Sequence, residues 1–342
     1  MEATHQYIER HSGEIRHELL KADRLIRLMY SSLRENASFL FKTLTSSVLT
    51  ELIAWSHYDN PLTLNPSHIR RIIRDLHINT DELLEPECTR SMRSLFERKI
   101  TYWETRPMTA GSDNVVSPCD ARMIPGSLTQ DTSFFIKHKF FDVKELLGKD
   151  KNDWLNAFDG GHYAVFRLTP DKYHYNHAPV TGKVVDFYGI NGRYHSCNPS
   201  AVIELVTPYS KNKRVVTVIN TDIPGGTGAG LVAMVEIVAL MIGDIEQAYS
   251  DSAYDDPRKL TLNEVMLKGQ PKSLFRPGSS TVVLLFQKNR FTFSPDLLEN
   301  VRRTDVKSRF SKGFGQSLVE TDLFVRSEIG IALKKESGDG CA

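Results

Sequence analysis

The chain has 342 residues, 40% of them hydrophobic and 25% charged, and a formal net charge of +1 at pH 7. That length can bury a large core as one domain or two, and the composition is ordinary for a soluble globular protein. Near-zero charge gives no global attraction to nucleic acid or to an anionic membrane, and the four cysteines (Cys88, Cys119, Cys197, Cys341) have neither metal nor disulfide spacing, which fits a reducing compartment.

The N-terminus, Met1-Glu2-Ala3-Thr4-His5, has no basic start and no apolar stretch of the signal-peptide kind. Residues 1–105 read as a helical region. Long stretches lack Gly and Pro, and apolar residues recur at three and four, as in Leu19, Leu20, Leu25, Leu28, Met29 and Leu33. Lys21 to Met29 and Phe39-Leu40-Phe41-Lys42 have the apolar stripe and basic flanks of amphipathic helices. Such helices either dock on a membrane surface or pack on the protein's own core. Asn60-Pro61 and Asn65-Pro66 mark turns, and Asn65 or Ser67 is placed to cap a helix through His68–Ile73.

From about residue 110 onward the pattern changes to short β-rich runs: 163–168, 180–185, 201–206, 215–219 and 281–286. Helices followed by many strands predict an α+β fold, with a β-rich core of mainly antiparallel strands over 106–342. The longest apolar run, Leu231 to Ile242, is interrupted by Glu236. A bilayer span takes about 20 residues, so this run reads as two β segments or a buried helix. Pro224 to Gly230 lacks the Gly-Lys-Ser/Thr of a phosphate loop and the spacing of a dinucleotide fingerprint. It reads as a flexible loop between strands, or as a loop wall near the active site that offers backbone N–H groups to a head group.

Three segments carry chemistry. The first is Gly278-Ser279, within Phe275-Arg276-Pro277-Gly278-Ser279-Ser280-Thr281. A serine hydroxyl can attack the preceding carbonyl and convert the amide to an ester. That ester can eliminate and hydrolyse to leave a pyruvoyl group. A glycine before the serine permits strained geometry and close approach. The plain reading is a turn entering a strand. The second segment is Tyr173-His174-Tyr175-Asn176-His177-Ala178-Pro179, and the third is Ser117-Pro118-Cys119-Asp120-Ala121-Arg122. A serine nucleophile needs a base oriented by a third group, and His and Asp can supply these from any position in the chain. Without a catalytic role, the histidines read as satisfied core residues and Asp120 as a turn residue after Pro118. A helical metal pair is disfavoured by Pro179 and the β-branched and aromatic neighbours.

These segments resemble the phosphatidylserine decarboxylase family over about residues 95–286. Phe96-Glu97-Arg98-Lys99, Arg106-Pro107 and Ser117 to Arg122 resemble its opening block, and Ile136 to Phe141 with Leu146-Leu147-Gly148 its next. The paired histidines before a proline, then Asn198-Pro199, Asn212 to Val216, Lys268-Gly269 and Gly278-Ser279, follow in the family's order. The resemblance implies a self-cleaving enzyme with a pyruvoyl group derived from Ser279, and neither pyridoxal phosphate nor a metal. It implies a cleavage triad in which Ser279 attacks Gly278, His177 is the base and Asp120 orients it. His174 would serve decarboxylation, near the carboxylate or as proton donor to the product carbon. Two departures stand out. Cys119-Asp120-Ala121 replaces the usual Ala-Asp-Gly. The cleavage block is one residue longer than the common Gly-Ser-Thr version, so counting from Phe275 selects Ser279 and counting back from Phe286 selects Ser280.

The implied protein is cytoplasmic, with peripheral contact to the membrane surface. It is a heterodimer of its own two fragments, with further dimerisation open. Its substrate is phosphatidylserine or a soluble amino acid such as tryptophan. An uncleaved scaffold is the non-enzyme alternative.

Overall fold

The strands that organise the molecule are β1 (Gln6–Glu9), β2 (Ile15–His17), β3 (Asn114–Val116), β4 (Ala121–Ser127), β5 (His162–Leu168), β6 (Tyr175–His177), β7 (Gly182–Ile190) and β8 (Arg214–Asn220). They continue with β9 (Leu231–Val238), β10 (Ile245–Gln247), β11 (Val265–Met266), β12 (Pro271–Phe275), β13 (Ser280–Phe286), β14 (Phe291–Phe293), β15 (Thr321–Leu323) and β16 (Glu328–Ala332). The computed structural model describes residues 5–18, 66–129, 140–205, 207–239, 244–276 and 280–333.

A 10-stranded sheet runs in the order β11-β7-β8-β9-β13-β5-β4-β15-β1-β2. Its pairs are antiparallel except β1 with β15. Two 3-stranded sheets, β10-β12-β6 and β14-β16-β3, complete the β structure. The fold is α+β with a β-rich core.

Alternation of side chains across a strand divides the core in two. On β13, Val282, Leu284 and Phe286 join a cluster with Phe275, Phe291, Phe293 and Ala178 from the small sheets. Val283 and Leu285 face the other way, among Phe140, Leu146, Phe158, Tyr209 and Phe310 from helical segments. Because both faces are covered, the central strands read as continuous apolar runs instead of alternating ones. This explains Leu231–Val238, which is a single buried strand and not a helix. Glu236 interrupts it because that position faces the small sheet, where the Lys272 Nζ lies 2.6 Å from its carboxylate. Both side chains are fully buried.

The N-terminal third departs from its helical reading at two places. The strands β1 and β2 lie there, and β1 ties the start of the chain to β15 near its end. These stretches span four and three residues, too short for either periodicity to be legible. Helices do form at Pro66–Asp75, Met92–Phe96 and Tyr102–Thr105. The first begins at Pro66, where a missing N–H costs nothing, so Ser67 sits inside the helix and does not cap it. The amphipathic stretches at Lys21–Met29 and Phe39–Lys42 lie outside the described residues. Among the described residues no helix is long and apolar enough to cross a membrane.

A buried ionic cluster locks the β1–β15–β4–β5 region. The Arg167 guanidinium donates to Glu320 at 2.8 and 2.6 Å and to Glu18 at 3.0 and 2.6 Å. Arg122 also pairs with Glu18, and His5 Nε2 lies 2.7 Å from Glu320. His5, Glu18 and Glu320 are close enough to one another to hold a cation. Two guanidinium groups already fill that role.

Candidate active site

The histidine segment and the strand leading to Gly278-Ser279 lie side by side. β6 pairs antiparallel with β12, with Leu274 opposite Tyr175 and Ser273 opposite Asn176. Phe275 N–H donates to the His174 carbonyl at 3.1 Å. Pro277, Gly278 and Ser279 lie outside the described residues, and they join Arg276 to Ser280, the first residue of β13.

His177 is fully buried with both ring nitrogens engaged. Nδ1 is 2.9 Å from the Gly269 carbonyl oxygen and Nε2 is 2.9 Å from the Tyr173 hydroxyl. Its backbone N–H donates to the Pro118 carbonyl at 2.6 Å, which ties it to the segment carrying Asp120. Gly269 has φ +78, and a Cβ there would lie 2.7 Å from Met108 Sδ. Only glycine meets both the left-handed backbone and the close approach. Burial pushes His177 down to about 3, so it is neutral at ordinary pH.

His174 is also fully buried, its ring stacked on Phe96 at 3.6 Å between centroids. Neither of its ring nitrogens has a hydrogen-bond partner among the described residues. Burial, reinforced by the Arg98 charge, pushes it down to about 3.

Asp120 does not hydrogen-bond His177, as the triad reading expects. Its carboxylate receives Arg106 Nη2 at 2.9 Å and Nε at 3.1 Å, and Val325 N–H at 2.8 Å. Arg106 in turn donates to Glu82 at 2.9 Å. Burial alone would raise Asp120, but the adjacent Arg106 guanidinium more than offsets this and holds it below the usual carboxylate range. A free carboxylate in this interior is costly without such a partner, and Arg106 is the group that matches it fork to fork. Asp120 still acts on both histidines through its charge. The acceptor that orients His177 is the Gly269 carbonyl.

Ser280 is fully buried, with its Oγ unpartnered among the described residues. It pairs with Leu168 on one side and Val238 on the other, in the middle of the large sheet. The Pro224–Gly230 loop enters β9 at the end opposite Phe286, whereas Ser280 pairs at the other end, with Val238. A strand of this length spans roughly 20 Å, so that loop is not a wall beside Ser280.

A family model of phosphatidylserine decarboxylase matches residues 92–311. The chain belongs to the phosphatidylserine decarboxylase family. With the family comes its class, the carboxy-lyases. A phosphatidylserine decarboxylase proenzyme 2 of rice (Oryza sativa subsp. japonica) is 32% identical over 232 residues, covering 66% of this chain and 34% of the relative. The chain thus spans about a third of that protein. The phosphatidylserine decarboxylase proenzyme of Chlamydia trachomatis serovar L2 is 27% identical over 313 residues, 91% of this chain and 96% of the relative. That of Fusobacterium nucleatum is 26% identical over 328 residues, 95% and 97%. The family match takes in the decarboxylase blocks around Asp120, His174, His177 and Gly278-Ser279.

Sequence reasoning did not find three further parts of the site. Tyr254, whose hydroxyl lies 2.6 Å from that of Tyr173, is 81 residues from it and has no motif of its own. The Lys272–Glu236 pair sits beneath Asn176, whose amide donates to Ser273 Oγ at 3.0 Å. The interrupting Glu236 was the one signal that could have located that pair. Phe96, stacked on His174, was visible only as part of a family block.

Proposed function

We propose that the protein makes its own prosthetic group by breaking the Gly278–Ser279 bond and then releases CO2 from phosphatidylserine, leaving phosphatidylethanolamine. The observation that carries this reading is the β6–β12 pairing, which sets both histidines against the strand that runs into residue 277. In this reading Ser279 attacks the Gly278 carbonyl and His177 serves as base. Asp120 supports the charge that forms on His177 through space, while it holds Arg106 and the Val325 backbone in place. Ser280 is the alternative nucleophile. Its regular pairing on both sides disfavours the strained backbone that attack on a preceding carbonyl requires, which supports Ser279.

Three orphaned buried polar atoms fit a reactive carbonyl at this place: both ring nitrogens of His174 and the Ser280 hydroxyl oxygen. A pyruvoyl group at residue 279 would supply the electron sink that decarboxylation of an amine-bearing substrate needs. His174, neutral when buried, would hold a proton for the product carbon. The stacked Phe96 fixes its ring plane and excludes water. After cleavage, residues 1–278 and 279–342 remain folded together as two chains.

A bilayer as the substrate's source is supported by exposed apolar side chains around the site. Trp103 packs against Tyr102, whose ring edge lies 4.7 Å from His177. Phe324, half exposed, covers Arg106 at 4.3 Å, and Met108 and Leu267 flank Gly269. Extracting a whole lipid would expose its acyl chains at about 0.8 kcal/mol per CH₂, so docking with the tails left in the bilayer is favoured. The stretch at Phe39-Leu40-Phe41 is a second docking element of this reading.

One cavity favours a second reading, a soluble amino acid. It measures about 400 Å³ and is bordered by Tyr175, Leu274 and Arg276, with Glu85, Glu87, Glu97 and Glu246 set against Arg98 and Lys99. Carboxylates outnumber cations there, which suits an ammonium-bearing zwitterion better than a phosphodiester.

Intact mass of the purified protein tests the first step. Two chains are expected, the smaller being residues 279–342 with a blocked N-terminus. A fragment starting one residue later would transfer the role to Ser280, and a single chain in an active preparation would sink the reading. Turnover of phosphatidylserine vesicles, measured beside free tryptophan and serine, decides the substrate. Activity confined to a free amino acid would replace the first reading by the second.

A further inference from the structure

The hydrogen bonds around His177 have only one consistent direction when the ring is neutral. Nδ1 lies 2.9 Å from the Gly269 carbonyl oxygen, which can only accept, so Nδ1 carries the hydrogen. Nε2 then has one in-plane lone pair, and the Tyr173 hydroxyl occupies it at 2.9 Å. Tyr173 therefore donates to His177, and its oxygen receives from the Tyr254 hydroxyl at 2.6 Å. Tyr254 receives in turn from Ile100 N–H at 3.2 Å. Were His177 to become an imidazolium, every bond would reverse, and the chain would end on the Ile100 carbonyl, 3.0 Å from the Tyr254 hydroxyl. The same heavy-atom positions serve both directions.

The loop that presents Tyr254 is held in an uncommon shape. Ala253 (φ 51) and Asp256 (φ 44) occupy the left-handed region without being glycine. Ser250 Oγ sits 2.9 Å from the Ser252 carbonyl and 2.6 Å from the Asp255 carbonyl, bracing the turn. Strain of this kind persists only where the surroundings fix it. Tyr102 closes the remaining side, edge-on to both His177 and Tyr254.

We propose that His177 receives its proton through the Tyr173 hydroxyl, with Tyr254 as a positioning residue that aims that hydroxyl. The proposal rests on His177 being the base and adds the route by which the proton arrives. In the step, the Tyr173 O–H bond breaks as an N–H bond forms at Nε2. The Tyr173 oxygen takes up the proton of the attacking serine hydroxyl. Tyrosine ends as it began, the histidine is positively charged, and the serine oxygen is free to attack. The relay then reverses, so that Tyr173 accepts from Nε2 and donates to Tyr254, which donates to the Ile100 carbonyl.

Two measurements test this together. In Ser279→Ala protein, ring-nitrogen NMR of His177 should report a protonated Nδ1 and an Nε2 that accepts a hydrogen bond. Tyr173→Phe should move the Nε2 resonance to that of a free lone pair, and Tyr254→Phe should move it partway. In the otherwise native chain, cleavage followed by intact mass should slow about 100-fold or more in Tyr173→Phe and about tenfold in Tyr254→Phe, the range of a lost proton-transfer group. Native-rate cleavage in Tyr173→Phe, or an unmoved Nε2 resonance, overturns the relay. If Tyr173→Phe does not fold, Tyr254→Phe carries both measurements, and a native result in it overturns the proposal. His177→Ala that still cleaves at full rate would instead overturn the base assignment, and the relay would then stand or fall on the NMR alone.

Discussion

At the β1–β15 end of the large sheet, His5, Glu18, Arg122, Arg167 and Glu320 form a buried set in which each charge has a partner. Around β6 the opposite holds: His174 has no hydrogen-bond partner among the described residues, and His177 is held by two neutral groups. Both regions are dry, and the treatment of charge separates them. Paired charges at the first site hold strands together. Unpaired, neutral bases at the second keep a chemical option open, because a group without a fixed counter-ion can still gain a proton. The Arg106–Asp120–Glu82 set lies between these extremes, as fully paired charge placed next to the histidines.

The largest effects should come from the histidine site. His177→Ala is expected to stop cleavage altogether, and His174→Ala to cleave at least partly while losing most decarboxylation. Intact mass and CO2 release read the two separately. Equal behaviour of the two variants in cleavage would erase the distinction drawn between them.

Next in size is the paired site. Arg167→Met should destabilise the fold by about 3–5 kcal/mol in denaturant titration, since it leaves Glu18 and Glu320 buried without their main partner. Removing Arg258, whose pair with Asp251 is largely exposed, should cost under about 1 kcal/mol. Equal costs would mean that burial does not set the value of these pairs.

The two regions should also respond to acid over different ranges. His174 and His177 are pushed down to about 3 from an ordinary value of 6.5. Below pH 6.5 the unfolded chain binds protons that the native protein does not, so stability falls as pH drops from 6.5 toward 3, by about 1.4 kcal/mol per pH unit for each histidine. For Glu320, burial would raise the carboxyl, but Arg167 holds it down, to about 2 from an ordinary 4.5. Its contribution is complete above pH 4.5 and is lost as pH falls through about 2. His174→Phe should flatten the upper range and leave the lower one intact. A stability curve unchanged between pH 6 and 4 would contradict the burial of a neutral histidine.

The smallest expected effect is at the exposed rim. Trp103→Ser with Phe324→Ser should reduce co-sedimentation with anionic vesicles severalfold while leaving cleavage intact. Native vesicle binding in this variant would move docking to Phe39-Leu40-Phe41 or away from the membrane.

Much of the site was legible in the sequence because its groups lie in short motifs. The two histidines three apart, the Asp120 segment and Lys268-Gly269 could each be named by number, and the structure gives Gly269 a physical reason: a left-handed backbone whose carbonyl holds the His177 ring. The antiparallel core was legible from its β-branched runs. Strands β1 and β2 were not, since three or four residues carry no period and pairing with β15 requires contact across some 300 residues of chain. The partner of Asp120 was also out of reach. Sequence order places a carboxylate and a histidine in one enzyme family, but only packing decides that Arg106 takes the carboxylate and a backbone carbonyl takes the imidazole.

By itself, then, the sequence determined the chemistry on offer: a Gly-Ser bond ahead of an apolar strand, two histidines, an aspartate, and a core of strands covered on both faces. Tertiary structure decided which of these groups touch and which stay uncharged. The reason is that hydrogen-bond direction and desolvation depend on atoms far apart in the chain. Tyr254 reaches Tyr173, and Lys272 meets Glu236, only once the small sheet has packed on the large one.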